Sequence, residues 1–550
     1  MIKKEQALAL VLLGAASGMA LWTIRYRPVW FDEGWTWHTA RMSLGDGLRA
    51  AARDRHPPLH LLIDHLWMRA VGDSELSLRW PSVAFGLLTM AFAWRLHCQV
   101  WGPSWAGALV IVGIALSPLW LEQMRQARMY TQLSFFVLLS WWAMERWIKR
   151  PIVRNWILWV LSGLGALLTH YYAIFPIVVG AALQVCARRN WRGLVGAGTA
   201  LAAIGVGTAL WVLLGQIRLA LFLPEEHIPS LPQFLAATNA ALRSSALAYW
   251  GAMPPIGWAL LLLTVLVNLG PHASAVQKRW FLFTGLGIAL PIVVMAGGRG
   301  NLLNFAPRHI LYAHPLVAMG WAGGVARLLR WSQRRPARPV RIGLAGAIWT
   351  ASLIPVGYAG RSAWALLQAE ANSPRAEEAA VRYLRSRAGP GDVVLTLRGH
   401  WGIRYYWQRW QPPAELREGP QGPVLTSADP SAWLSSPAQP CSGSHRIWII
   451  GWQEEFVDPL GWFPAWLLWN GWEEDVRNIA GLSVRGYNVS CVLKRPPEPE
   501  GDLSVVFQNG IHLRGFRFRP PHPRDRLLGV MLTWERTLPL HGFLKVFIHR

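Results

Sequence analysis

The stretch HPPLHLLIDHLWMRAVG, His56–Gly72, decides how the rest of this chain lies in a membrane. It is apolar enough to read as a spanning helix, yet it carries His60, Asp64, His65 and Arg69 within about four helical turns, and charge at mid-bilayer is costly. If it crosses, the clusters Arg146/Lys149/Arg150/Arg154, Arg188/Arg189/Arg192, Lys278/Arg279 and Arg327 through Arg341 all face away from Lys3 and Lys4. If it lies along the interface, every one of them falls on the side of Lys3 and Lys4. Short cytoplasmic loops concentrate Lys and Arg. The segment is therefore predicted to be an interfacial helix opened by Pro57 and Pro58, with the N-terminus of the chain cytoplasmic.

Working outward, 550 residues that are 53% hydrophobic and 15% charged, with 35 Trp, have the composition of a polytopic membrane protein with a soluble appendage. The net charge of +24 sits largely in short clusters between apolar runs, where it sets topology, so no nucleic-acid partner is expected. A spanning helix needs roughly 20 mostly apolar residues. The first is Gln6–Ile24, which reads as an anchor and not as a removed signal peptide. Further spans are expected at Leu78–Leu96, Trp105–Leu121, Tyr130–Trp147, Trp156–Thr169, Tyr171–Ala187, Gly193–Leu214, Ala252–Leu269, Trp280–Ala296, His309–Leu328 and Ile342–Gly360. The expected fold is thus a polytopic α-helical membrane protein of about 11 transmembrane helices over residues 1–360, with a first outer loop at 25–78 and an extracytoplasmic tail.

The tail changes composition. Residues 361–495 carry a helical stretch near Ala376–Ala388 and the strand-like runs DVVLTL, HRIWIIGW and LSVRGYNVSCVL, which predict a small α/β unit. After the linker PPEPEG, the runs LSVVFQNGIHLRGFRF, LLGVMLTWE and KVFIHR alternate like the strands of a β-sandwich over 501–550. Fifty residues are few for a sandwich, so this unit reads as incomplete or as needing a partner. Cys98 and Cys186, at the ends of apolar segments, read as packing residues, and a disulfide between Cys441 and Cys491 is left open.

This topology places Asp32, Glu33, Asp46, Asp54, Asp64, Glu122, Glu225 and Glu226 outside. In WFDEGWTWHTA, Trp30–Ala40, Asp32 and Glu33 are either solvated acids between Trp anchors or carboxylates that take a proton from a hydroxyl nucleophile or hold a divalent cation near a phosphate. In EQMRQARMY, Glu122–Tyr130, Arg125 and Arg128 either snorkel at helix ends or hold a lipid-linked phosphate, which the guanidinium fork matches. GGRGNLLNFAPRHI adds Arg299, Arg308 and His309. His170, Tyr171 and Tyr172 sit at an outer turn, as belt residues or as contacts to sugar or lipid. His60 and His65, five apart, make no metal pair without further ligands, and metal stays unassigned. No Asp-x-Asp occurs anywhere, so the nucleotide-sugar site of soluble glycosyltransferases has no counterpart.

The order FDE after the first span, D.HPPLH, GDSELSLRWPS, SP followed by ARMY, THYY and PRHILYAHPLVAM resembles the C-type superfamily of membrane glycosyltransferases. The likeness is greatest to the family 39 group of protein O-mannosyltransferases, the lipid A aminoarabinose transferase and bacterial relatives, and it covers roughly residues 1–360. It implies sugar transfer from a polyprenyl-phosphate donor to an acceptor lipid, polysaccharide or protein on the extracytoplasmic face of the cell membrane. It further implies Asp32 as general base with Glu33 as its partner, and His56, Arg128, Tyr130, Arg308 and His309 as donor-phosphate or substrate contacts. Glu122, Arg125, His170 and Tyr171 are further candidates. Many relatives have Glu where this chain has Gln126, which weakens a metal site there unless Glu122, one helical turn earlier, replaces it. No cofactor is required by this reading, and a divalent cation is left open. One base and a phosphate leaving group imply inversion at the anomeric centre. The alternative is a polytopic lipid or glycolipid transporter or flippase, against which stand the lack of internal repeats and of mid-span charge.

Overall fold

The computed structural model describes residues 4–536 except 55, 189–190, 214–230, 297–304, 335–337, 398, 420–432, 434–443, 453, 459–460, 491–492, 494–504, 507–510, 520–523 and 525–528. The chain divides into two compact units. Met1–Arg27 and Trp35–Asn372 form the first, and Pro28–Gly34 joins Ser373–Arg550 in the second.

The first unit is helical. Its elements are α1 (Lys4–Thr23), the larger part of α2 (Phe31–Arg41), α3 (Leu44–Arg53), α4 (Leu59–Val71), α5 (Glu75–Trp101), α6 (Ala108–Ala115), α7 (Pro118–Met124), α8 (Tyr130–Lys149), α9 (Val153–Leu167), α10 (Ile174–Arg188), α11 (Trp191–Trp211), α12 (Leu231–Trp250), α13 (Pro255–Leu266), α14 (Ala275–Ala296), α15 (Ala313–Gln333) and α16 (Arg338–Asn372). Among the described residues five helices are long and apolar enough to cross a membrane, or seven if the bent pairs α6/α7 (67°) and α12/α13 (89°) each count as one span. The expected count of about eleven also takes in α8, α9, α10 and α15; α9 and α10 have only 15 residues each, about 22 Å, and α8 carries Glu145, Arg146 and Lys149 near its end. Between the expected spans Gly193–Leu214 and Ala252–Leu269, residues Leu231–Trp250 form the helix α12.

The decisive segment forms α4, 13 residues long and about 20 Å, too short to cross roughly 30 Å of hydrocarbon. It turns His60, Asp64 and His65 into the protein and leaves Leu66 67% and Val71 51% exposed. Such inverted amphipathicity suits a helix whose outer face meets lipid.

Close helix packing in this unit depends on glycine in α15. A Cβ at Gly324 would stand 1.7 Å from the Thr264 carbonyl oxygen, so α15 and α13 approach backbone to backbone. At one end of the helices, Arg125 on the turn after α7 donates from Nε to the Leu121 carbonyl (2.8 Å) and from Nη1 to the Thr23 carbonyl (3.1 Å), and it pairs with Glu370 of α16 at 2.8 Å. At the other end, Glu145 of α8 binds Arg279 of α14 in a bidentate pair (2.7 and 2.6 Å), and Trp101 of α5 donates to Asn268.

The second unit holds α17 (Ala376–Arg387), α18 (Trp401–Trp410), α19 (Glu454–Val457) and α20 (Trp462–Asn470), with β1 (Val393–Thr396), β2 (Glu415–Glu418), β3 (Ser444–Gly451), β4 (Gly471–Ile479) and β5 (Leu482–Ser490). The sheet order is β2-β1-β3-β5-β4. β1 runs parallel to β2 and β3, and β3, β5 and β4 are antiparallel. The β4–β5 turn places Ala480 (φ +50°) and Gly481 (φ +93°) in the left-handed region, as a two-residue hairpin loop requires. Its core gathers Leu395, Ile447, Ile449, Phe463, Leu467 and Tyr487. The expected helix and the three strand-like runs are α17, β1, β3 and β5; β2 and β4, more polar, gave little sequence signal. Beyond them β6 (Val505–Val506), β7 (Ile511–Arg519) and β8 (Gly529–Arg536) form one three-stranded antiparallel sheet among the described residues. KVFIHR, Cys441 and Cys491 lie outside the described residues. Cys98 and Cys186 are free thiols.

Candidate active site

The residues expected to meet a phosphate converge at one end of the first unit. Pro57 and Pro58 cannot extend a helix backward, so the chain turns there and His56 stands just ahead of α4. Arg128 ends the short turn between α7 and α8, its backbone N–H donating to the Ser82 hydroxyl at 3.3 Å. Arg128 Nη2 donates to His56 Nε2 across 2.7 Å. Tyr130 opens α8, and its hydroxyl accepts from Arg308 Nε at 3.1 Å.

Aromatic contacts complete the cluster. His170 lies 5.7 Å from Tyr130, 5.3 Å from His309 and 6.3 Å from His56 between ring centroids, and the Tyr172 ring lies 4.8 Å from that of His309, tilted by 45°. His170 Nδ1 accepts from the Tyr172 backbone N–H, and His309 Nδ1 accepts from that of Ala306, both at 3.2 Å. Each ring therefore keeps its Nε2 for a proton and a partner. Burial, reinforced by the charges of His309, His56, Arg128 and Arg308, holds His170 well below the ordinary imidazole range. Two guanidinium and three imidazole groups so close together favour an anion among them.

Beside this cluster lies a cavity of about 40 Å³, lined by Trp35, Thr36 and Thr39 of α2, by Asp54, His56, His60 and Arg128, and by Thr169. On this measure one water needs roughly 10–15 Å³, so the cavity has room for a hydroxyl or a phosphate oxygen. Behind it, Gln132 bridges Thr169 (2.9 Å) and His60 Nδ1 (3.2 Å), and His60 Nε2 stands 3.1 Å from Asp64. Burial lowers His60 to about 4, helped by the Arg128 charge, and raises Asp64 well above the carboxylate range.

Three candidates take other roles. Glu122 is engaged by Arg27 and by the Gln126 amide (3.1 Å), so it does not replace the missing acid beside ARMY. Arg125 is spent on Glu370 and two carbonyls and is buried away from the cluster. For the third, Tyr171, it is the neighbouring Tyr172 whose ring joins the cluster, against His170 and His309. Among the described residues no group of three or more His, Cys, Asp or Glu could hold a metal ion. Gln132 and Thr169 were missed because neutral residues at helix ends look like packing, whereas Tyr172 was already read as either a belt residue or a sugar or lipid contact. Arg299 lies outside the described residues.

Asp32 and Glu33 occupy the first turn of α2, where carboxylates interact favourably with the helix dipole. Asp32 is half-buried and Glu33 buried. The same helix lines the cavity three to seven residues later with Trp35, Thr36 and Thr39.

Residues 55–214 match the family model of dolichyl-phosphate-mannose-protein mannosyltransferases. No curated protein matches the chain by sequence. Among solved structures the chain is similar to ArnT from Cupriavidus metallidurans bound to undecaprenyl phosphate, with a TM-score of 0.55 and 13% identity over 87% of this chain and 97% of that one. The apo form of the same protein gives a TM-score of 0.56 at 13% identity, over 89% and 99%. The chain thus shares the fold of these solved structures, and within it residues 55–214 match the mannosyltransferase family model.

Proposed function

We propose that this protein transfers a sugar from a polyprenyl-phosphate donor to an acceptor hydroxyl at the extracytoplasmic face of a bacterial cell membrane. The observation that carries the reading is the grouping of His56, Arg128, His170, Arg308 and His309 around Tyr130. A similar fold that binds undecaprenyl phosphate adds support.

In this reading Asp32 takes the proton from the acceptor hydroxyl, whose oxygen forms the bond to the anomeric carbon. The bond from that carbon to the phosphate oxygen breaks, and its electron pair leaves with the polyprenyl phosphate, whose growing charge Arg128 and Arg308 offset. Glu33 orients Asp32. A single attack from the side opposite the leaving group inverts the anomeric centre. A divalent cation, if one takes part, would assist the phosphate; the residues described form no set of three donors for it.

The test is transfer of labelled sugar from polyprenyl phosphate to cell-envelope acceptors by wild type, Asp32→Asn and Arg128→Ala. Loss of transfer in Asp32→Asn, with donor binding kept, is expected. Equal transfer by Asp32→Asn and wild type would remove Asp32 from the mechanism, and a product of retained configuration would overturn direct displacement.

A further inference from the structure

The turn that bears Asp32 and Glu33 packs with the C-terminal unit. The Val29 backbone N–H donates to the Tyr406 hydroxyl at 2.9 Å, and the same oxygen accepts from Arg375 Nη2 at 2.9 Å. The Phe31 ring stacks on Trp452, with centroids 4.9 Å apart and planes 26° apart, and meets the His400 ring edge-on at 5.8 Å. Two glycines let the backbones touch. A Cβ at Gly34 would stand 2.3 Å from the Trp401 carbonyl carbon, and a Cβ at Gly402 would stand 2.4 Å from the Val29 carbonyl oxygen. His400, Trp401, Gly402 and Tyr406 all come from the start of α18 or from α18 itself, and Trp452 directly follows β3.

These contacts bracket the two acids on both sides: Val29 and Phe31 before them, Gly34 after them. Hydrogen bonding fixes the depth of the turn, stacking fixes its rotation, and glycine contact fixes its distance from α18. Such redundancy is more than a connecting loop needs, and it falls on Val29, Phe31 and Gly34, immediately before and after the acids.

We propose that the α/β unit is a positioning element for catalysis, in which Trp452, Tyr406 and Gly402 set the orientation of Asp32. The proposal rests on Asp32 being the base. These residues touch neither substrate nor reacting atoms; they act through the turn, and misplacement of a reacting group by about 1 Å can cost on the order of 100-fold in rate.

The experiment measures transfer kinetics, donor binding and melting temperature in detergent for full-length Trp452→Ala, Trp452→Phe, Tyr406→Phe and Gly402→Ala beside Asp32→Asn. Trp452→Ala and Gly402→Ala are expected to lower kcat about 10- to 100-fold, with donor KM and undecaprenyl-phosphate binding within about threefold of wild type and a shifted acid limb of the kcat profile. Trp452→Phe restores stacking and should recover most of kcat. If Trp452→Ala and Tyr406→Phe keep wild-type kcat while Asp32→Asn is inactive, the positioning role fails and the base assignment survives. If kcat and donor affinity fall together with melting temperature, the contacts are structural and the proposal also fails. If Asp32→Asn itself is active, the underlying reading of Asp32 has failed, independently of these variants.

Discussion

Arg128 donates to His56 across 2.7 Å, joining the turn before α8 to the Pro-Pro turn before α4, 72 residues away in sequence. His56 Nε2 accepts, and the guanidinium held in this way also lines the small cavity beside the cluster. A charge-assisted hydrogen bond contributes roughly 1.5–3 kcal/mol. Arg128→Ala should therefore raise donor KM about 10- to 150-fold, and Arg128→Lys should recover only part of this, since a point charge cannot reproduce the fork. Donor titrations in a transfer assay check both, and an unchanged KM in Arg128→Ala would take the phosphate away from this residue.

Arg125, three residues earlier, should behave differently. It is 3% exposed and pairs with Glu370, 9% exposed, at 2.8 Å. Removing one partner of a buried pair typically costs about 3–5 kcal/mol because the other charge is stranded. Glu370→Ala and Arg125→Ala should each lower the melting temperature strongly and leave donor KM near wild type in the protein that remains folded. A double variant less destabilised than the sum of the singles would report the coupling. A large KM effect without loss of stability would return Arg125 to the binding site.

These two arginines mark the limit of what could be read from residues alone. Positive-inside charge and helix length placed the hydrophobic body, and the joint order and spacing of several short motifs brought His56, Arg128, Tyr130, Arg308 and His309 into one expectation. Within EQMRQARMY, however, Arg125 and Arg128 look alike. Their roles separate only when α16 runs past Gly360 to bring up Glu370. The grip of α18 on the turn at Asp32 was likewise unreadable, because it depends on Gly34 and Gly402 meeting backbones some 370 residues away. Pro-Pro turns and periodic apolarity are local signals, whereas backbone contact at glycine and ion pairs between distant helices leave no pattern in a single sequence.

Gly324 offers a test of the membrane body. Its Cβ would lie 1.7 Å from the Thr264 carbonyl oxygen, so Gly324→Ala must push α15 from α13. Overpacking of this kind costs about 1–3 kcal/mol or more. Gly285 of α14 has nothing within 4 Å of a built Cβ, and Gly285→Ala should be neutral or stabilising by about 0.5–1 kcal/mol. Thermal unfolding of both variants in one detergent checks the contrast, and equal melting temperatures would contradict the close approach of the two helices.

His60 and Asp64, 3.1 Å apart on α4, should give opposite pH signatures. Burial lowers His60 from 6.5 to about 4, so between these values the unfolded chain takes up a proton that the native state refuses. Stability from His60 is complete above pH 6.5 and is lost as pH falls towards 4, by about 3 kcal/mol at most. Asp64 is raised by burial, so the native state keeps a proton that the unfolded chain releases above its ordinary 3.8, and stability falls as pH rises through that range. Arg128 is the nearby cation that opposes the shift in Asp64, and Gln132 faces His60 from α8. His60→Asn should flatten the acid-side loss of melting temperature between pH 6.5 and 4, and Asp64→Asn should melt higher than wild type at pH 7.5. If Asp64→Asn melts lower at pH 7.5, the pair is an ion pair in the native state, and the neutral carboxyl argued here is excluded.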